Sequence, residues 1–111
     1  MNIDFTGVGA VVATFECEDN VTEAGQLVAL SGSGRVGVCE NGNHPMGMVK
    51  SVANGYAAVQ VRGYIHAKNY GSITAGYKCL TALDEYTLKE DPNGAQRLVI
   101  YATDDYVGVL L

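Results

Sequence analysis

The residues of this chain that could do chemistry are three cysteines, two histidines and twelve acidic side chains. A structural zinc site needs several such ligands at short, characteristic spacings, for example Cys-x-x-Cys. Cys17, Cys39 and Cys79 are instead 22 and 40 residues apart, each within an apolar stretch. His44 lies in a loop, and His66 ends a predicted strand on its polar face. This pattern predicts buried, reduced thiols and no metal site.

Catalytic groupings are equally hard to find. An activated cysteine needs a cation beside its sulfur, and the apolar runs around these thiols offer none. The acidic pairs Glu90-Asp91 and Asp104-Asp105 fall in predicted turns, where an aspartate bonds its own backbone. Nothing selects two acids as a glycosidase pair, and the glycine-rich segment 31–34 lacks the lysine of a phosphate loop. We therefore expect no enzyme activity, no catalytic residue and no cofactor.

Composition limits the class of protein. A chain of 111 residues corresponds to one domain, and 48% hydrophobic with 17% charged residues argues against disorder. The net charge of −5, with only 7 lysines and arginines, disfavours binding to nucleic acid or to an anionic membrane. No apolar run approaches the roughly 18 residues of a membrane helix. The first residues lack the features of a secretory signal, so we expect synthesis in a cytoplasm.

Alternating apolar and polar residues predict an all-β fold. We expect a small β-sandwich or barrel of about eight short strands with glycine-rich turns, formed by residues 11–111 as a single domain. The predicted strands cover approximately residues 11–17, 26–30, 35–40, 46–52, 56–66, 77–83, 85–89, 96–102 and 106–111.

The longest predicted strand runs from Tyr56 to His66 after the tight-turn signal Asn54-Gly55. Its alternation places one set of side chains in the core: Ala57, Val59, Val61 and Ile65. The opposite face carries polar and aromatic residues, of the types enriched at protein interfaces, and these are our candidate oligomer-interface residues: Tyr56, Gln60, Arg62 and Tyr64.

Two similar phrases lie far apart in the chain, at residues 21–28 (VTEAGQLV) and 73–80 (ITAGYKCL). Each has a β-branched residue and a threonine, then Ala-Gly, and then a strand-like run. A turn that needs its glycine and leads directly into a strand explains both phrases. Gly25 and Gly76 are therefore predicted turn glycines, and we expect a positive φ at one of them at least.

Residues 1–10 differ from the rest because they contain two glycines and no clear alternation. They form either an N-terminal arm or a first strand whose pattern is not evident. An apolar arm is costly to leave in water but suits an anchor on a partner. Its apolar residues Ile3, Phe5 and Val8 are our candidate contacts with such a partner.

Four segments together resemble the capsid cement, or head decoration, proteins of tailed bacteriophages. The segments are VTEAGQLVALSGSGRVGVC (21–39), GMVKSVANGYAAVQVRGYIHA (47–67), ITAGYKCLT (73–81) and YATDDYVGVLL (101–111). The resemblance lies in layout, namely two glycine turns that lead into strands and a central valine-rich strand, and it covers about Val12 to Leu111. The acidity and the three free cysteines depart from it.

This resemblance implies a non-enzymatic protein that binds the outer surface of an assembled phage head and stabilises it. The implied partners are the major capsid protein and further copies of the chain, most often as a trimer. Ile3, Phe5 and Val8 of the arm are then our candidate capsid contacts. The implied location is the capsid exterior, after assembly in the host cytoplasm. A carbohydrate- or receptor-binding β-domain of a phage tail is the alternative, and a small hydrolase is a weaker one.

Overall fold

The computed structural model describes residues 9–111, which form ten strands arranged as two closed five-stranded barrels. The all-β prediction is confirmed, and barrels rather than a sandwich are formed. The strands are β1 (Val11–Cys17), β2 (Leu27–Gly32), β3 (Arg35–Val38), β4 (Gly47–Ala53), β5 (Tyr56–Arg62), β6 (Tyr64–Asn69), β7 (Gly76–Ala82), β8 (Thr87–Glu90), β9 (Ala95–Ala102) and β10 (Tyr106–Leu110).

The two barrels have the same topology. In the first barrel, β1 pairs antiparallel with β5 and parallel with β3, while β2 lies between β3 and β4. In the second barrel, β6 pairs antiparallel with β10 and parallel with β8, while β7 lies between β8 and β9. The chain therefore builds one five-stranded unit twice, in sequence order.

The registers of the two barrels agree residue by residue over most of their length. The parallel pair Glu16 with Arg35 recurs 52 residues later as Lys68 with Thr87. Individual hydrogen bonds recur as well, because a given backbone amide meets the equivalent carbonyl. The hydrogen bond from Cys39 N to Leu27 O recurs as the bond from Asp91 N to Cys79 O. The bond from Cys17 N to Gly55 O recurs as the bond from Asn69 N to Asp105 O. In β4 and β5 the offset is 50 residues, so that Val49 with Val59 becomes Val99 with Val109.

The two similar phrases at residues 21–28 and 73–80 occupy equivalent places in the two barrels. Val21 and Ile73, at the start of the phrases, are both buried 52 residues apart. Gly25 has φ 94° and Gly76 has φ 120°, so both predicted turn glycines adopt the left-handed region that other residues avoid. Each glycine leads the chain into the second strand of its barrel.

The predicted long strand is two strands, one in each barrel. Gly63, with φ 96°, separates β5 from β6 and turns the chain from the first barrel into the second. Ala57, Val59 and Ile65 are buried as predicted, and Val61 is half-buried.

The expectation that Gln60 lies on an exposed face is wrong, because it is only 1% exposed. Val59 points into the interior of the first barrel and Gln60 points out of it, next to Met48, where the second barrel covers this outer face. The adjacent residues Val59 and Gln60 are therefore both buried.

The barrels have separate interiors but are packed against each other. Small valines dominate the first interior, including Val28, Val36 and Val59. The second interior contains larger residues such as Leu80 and Leu88, and it also incorporates three side chains from the first barrel: Leu27, Cys39 and Met48.

The positive φ at Gly25 generates a stability prediction. No atom lies within 4 Å of a Cβ built on Gly25, so the substitution Gly25→Val would be strained by its backbone alone. We expect a loss of more than about 1 kcal/mol in the free energy of unfolding, measured by urea denaturation. Gly32 is the matched control, because its surroundings are equally open and its φ is not in the left-handed region. Equal stabilities of Gly25→Val and Gly32→Val would contradict this explanation.

Candidate interaction surfaces

The chemistry-bearing residues do not converge in the part of the chain that the structure describes. No group of three or more His, Cys, Asp or Glu side chains in residues 9–111 could hold a metal ion. All three cysteines are free thiols. Burial raises the pKa of the Cys39 thiol to about 12, which is the opposite of the shift that activates a nucleophile.

Cavities also fail to suggest a small-molecule site. One small cavity lies at the junction of the barrels, beneath His44 and Pro45, and has a volume of about 20 Å³. A volume of this size holds about one water molecule. Two open grooves, of about 470 and 270 Å³, share Leu83 in their walls and extend along the outer surface.

The residues predicted from sequence to form interfaces are scattered. Tyr56 is exposed on the first barrel, and Arg62 is exposed at the end of β5. Tyr64 is half-buried on the second barrel. The candidate capsid contacts Ile3, Phe5 and Val8 lie outside the described residues.

Gln60 has a structural role at the barrel junction. Its side-chain Nε2 donates hydrogen bonds to the carbonyl oxygens of Arg62 and Tyr64, both at 3.0 Å. These two carbonyls flank Gly63, where the chain leaves one barrel for the other. Gln60 is therefore buried inside the chain and fixes the junction, so it cannot form part of an exposed oligomer interface.

Sequence reasoning missed an apolar outer face on the second barrel, which we call the tyrosine face. It consists of cross-strand neighbours on β6, β7, β9 and β10. In one row, Leu98 lies opposite both Tyr77 and Leu110, and Leu110 lies opposite Tyr64. A second group stacks: the ring of His66 lies 5.0 Å from that of Tyr106 and 6.5 Å from that of Tyr101, measured between centroids.

A glycine makes room for this arrangement. A Cβ at Gly108 would collide with the ring of Tyr64. Gly108 also lies opposite His66 on one side and Tyr101 on the other. The only sequence signal was a glycine in a short terminal strand, and its meaning depends on neighbours that are distant in the chain.

Polar contacts join the two barrels beside the smaller groove. The Leu27 amide donates to the Glu85 carbonyl at 2.6 Å. The Gln26 side chain, which also accepts from two turn amides, donates to the Glu85 carboxylate at 3.1 Å. The Tyr86 hydroxyl donates to Glu23, and this hydrogen bond raises the pKa of Tyr86 to about 12.

Comparison with models of known families, with curated proteins and with solved structures finds no significant match to this chain. Residues 9–111 include no helix that is long and apolar enough to cross a membrane.

The burial of Gln60 generates a pH-dependent prediction. In Gln60→Glu a carboxylate would face the carbonyls of Arg62 and Tyr64, so the pKa of the new carboxyl is raised in the folded state. The stability deficit relative to wild type should be small below about pH 4.3, the unfolded pKa. It should grow as the pH rises from the unfolded pKa towards the raised folded pKa and level off above it, at about 2 kcal/mol or more at pH 7.

The matched control for this prediction is Gln96→Glu, because Gln96 is exposed on β9. Urea denaturation of both variants and of wild type between pH 3.5 and 7.5 makes the measurement. Parallel pH profiles for the two variants would show that position 60 is not buried as described.

The thiols generate a second prediction. Cys39 is buried and its pKa is raised, whereas Cys17 and Cys79 are half-buried. Iodoacetamide at pH 8 should therefore modify Cys17 and Cys79 before Cys39 in the native protein, and all three equally in urea. Peptide mass spectrometry measures each site separately. Early modification of Cys39 in the native protein would contradict its burial.

Proposed function

We propose that this chain is a non-enzymatic decoration protein of a tailed bacteriophage, which binds the outer surface of the assembled head and stabilises it. The sequence layout resembles that of cement proteins. A pair of small packed barrels, with no convergence of reactive groups among residues 9–111, suits a role in binding.

The observation that carries the proposal is the tyrosine face. Tyr77 is 68% exposed, and Tyr101 and Tyr106 are about half exposed on the same side of the second barrel. Exposed aromatic residues grouped on one face mark protein-binding surfaces, whereas single exposed residues need no explanation. A decoration protein needs such surfaces for the major capsid protein and for neighbouring copies.

The proposed partners are the major capsid protein and further copies of this chain, as a trimer. The proposed location is the capsid exterior, after assembly in the host cytoplasm. The net charge of −5 is unfavourable for binding to nucleic acid or an anionic membrane, so we include neither as a partner.

A carbohydrate-binding tail domain is the alternative. Sugar rings stack on aromatic faces that point to solvent. In the tyrosine face, His66 instead stacks against Tyr101 and Tyr106, so part of each ring face is occupied. This geometry favours a protein partner over a glycan. A hydrolase has less support, because it needs acidic groups with shifted pKa values in a cleft.

The proposal is tested by measuring how the chain binds to phage heads, with and without its N-terminal segment. Heads of the parent particle that lack this protein should bind the added full chain. The decorated heads should then resist heat or low ionic strength better than the bare heads. Deleting residues 1–9 should leave the melting transition intact and abolish binding, because the apolar arm is proposed to contact the shell. Co-sedimentation and negative-stain microscopy make the measurement.

Two substituted chains sharpen this test. Replacing Ile3, Phe5 and Val8 together by serine should reproduce the deletion. Replacing the polar neighbours Asn2 and Thr6 by serine is the matched control and should bind normally. Unchanged affinity of the deleted chain would reject the arm, and failure of the full chain to bind any phage head would reject the function.

A further inference from the structure

The contact between the two barrels buries one outer face of the first barrel, which we call the donor face. Its core consists of Leu27, Cys39 and Met48, which belong to the hydrophobic cluster of the second barrel. Gln60, next to Met48 across β4 and β5, is buried with them. The interior of the first barrel is formed by other residues.

The second barrel receives this face at one rim, which we call the acceptor rim. Ala82 is its clearest member: its amide donates to Asn43 and its carbonyl accepts from Gly42, both at 2.9 Å, in the loop between β3 and β4. Ala82 is fully buried as a result. Ile65, also at this contact, lies below His44 and Pro45 of the same loop.

Because the barrels repeat, the second barrel has its own copy of the donor face. The equivalent hydrogen bonds and registers match Leu27 with Cys79, Cys39 with Asp91, Met48 with Leu98 and Gln60 with Leu110. The pairing of β7 with β9 is shifted by two residues relative to that of β2 with β4, so Leu98 lies opposite Tyr77, two residues before Cys79 and on the same side of β7. The first-barrel members are buried, whereas Cys79, Leu98 and Leu110 are half-exposed and Tyr77 is mostly exposed.

The first barrel likewise has its own copy of the acceptor rim. Leu30 occupies the position of Ala82, since it lies opposite Val36 as Ala82 lies opposite Leu88. Leu30 is 61% exposed. Among residues 9–111, no loop bonds to its backbone as residues 42 and 43 bond to Ala82. Ala13, which corresponds to Ile65, is half-buried on β1.

We propose that these two uncovered surfaces bind each other between copies of this chain. The donor face of the second barrel, centred on Tyr77, Leu98 and Leu110, docks on the acceptor rim of the first barrel of another copy, centred on Leu30. The contact between chains repeats the contact within the chain. The occupant of the apolar face is therefore a second copy, because the fold already shows how one barrel binds the next.

This contact joins two different surfaces, so it is head-to-tail. A head-to-tail contact makes a closed ring when its rotation closes, and an open filament otherwise. A two-fold dimer would pair like surfaces and is not expected. In the trimer of the proposed function, on which this step rests, three chains would form one ring of six barrels.

The test uses the exposed centre of each surface. Leu30→Asp removes the acceptor rim and Tyr77→Asp removes the donor face, and each should weaken association by about 30-fold or more, as loss of a central interface anchor does. Tyr56→Asp is the matched control: Tyr56 is about half exposed and lies outside both surfaces. Analytical ultracentrifugation measures mass against the 11.7 kDa chain, and thermal melting checks the fold.

Mixing the two variants distinguishes a head-to-tail contact from a two-fold one. Leu30→Asp keeps a donor face and Tyr77→Asp keeps an acceptor rim, so each alone should be a monomer and their mixture should form a one-to-one dimer. A wild-type protein that stays monomeric at millimolar concentration would overturn the proposal. Dissociation by Tyr56→Asp alone, or no dimer in the mixture, would also overturn it.

The failure of this inference and that of the proposed function are separable. Association is measured with the purified chain alone, whereas the function is measured by binding to heads. A wild-type ring that binds no phage head would reject the function only. A monomeric chain that binds heads through Tyr77 would reject the ring only.

Discussion

The burial of Leu27 and Met48 against the second barrel is the contact on which the rest of the structure depends. Each barrel has only about fifty residues, and a domain of that size buries so small a fraction of its surface that it is only marginally stable alone. The first barrel compensates by placing side chains of its outer face in the core of the second barrel. The result is a pair of barrels with a shared core, whose outer surfaces carry different exposed residues.

Part of this architecture could be predicted from the sequence. The alternation of apolar residues identified most of the strands, and the repeated Ala-Gly corners gave two glycines with positive φ. These features are local, because they depend on side-chain periodicity and on the steric freedom of one residue. The same corners mark the two halves of the duplication, although their spacing alone does not give the barrel topology.

The errors arose where a distant segment decides the local structure. Residues 56–66 alternate as one strand, but Gly63 divides them between two barrels, and the second barrel covers the outer side of β5 at Gln60. The candidate interaction surface was hidden for the same reason. Tyr77, Leu98 and Leu110 become neighbours only through strand pairing, so no local sequence motif predicts this surface. Of the interface residues predicted from the sequence, only Tyr64 lies in that surface.

The shared core also has a consequence for how the chain is made. During synthesis the first barrel leaves the ribosome before the second, and domains generally fold in that order. Its outer face, with Leu27 and Met48, is then complete while the residues that will cover it are still being added. The first barrel can thus serve as a template on which β6 to β10 condense. Slow translation after Gly63 would prolong the time for which this apolar face is exposed, and chaperones would bind to that face.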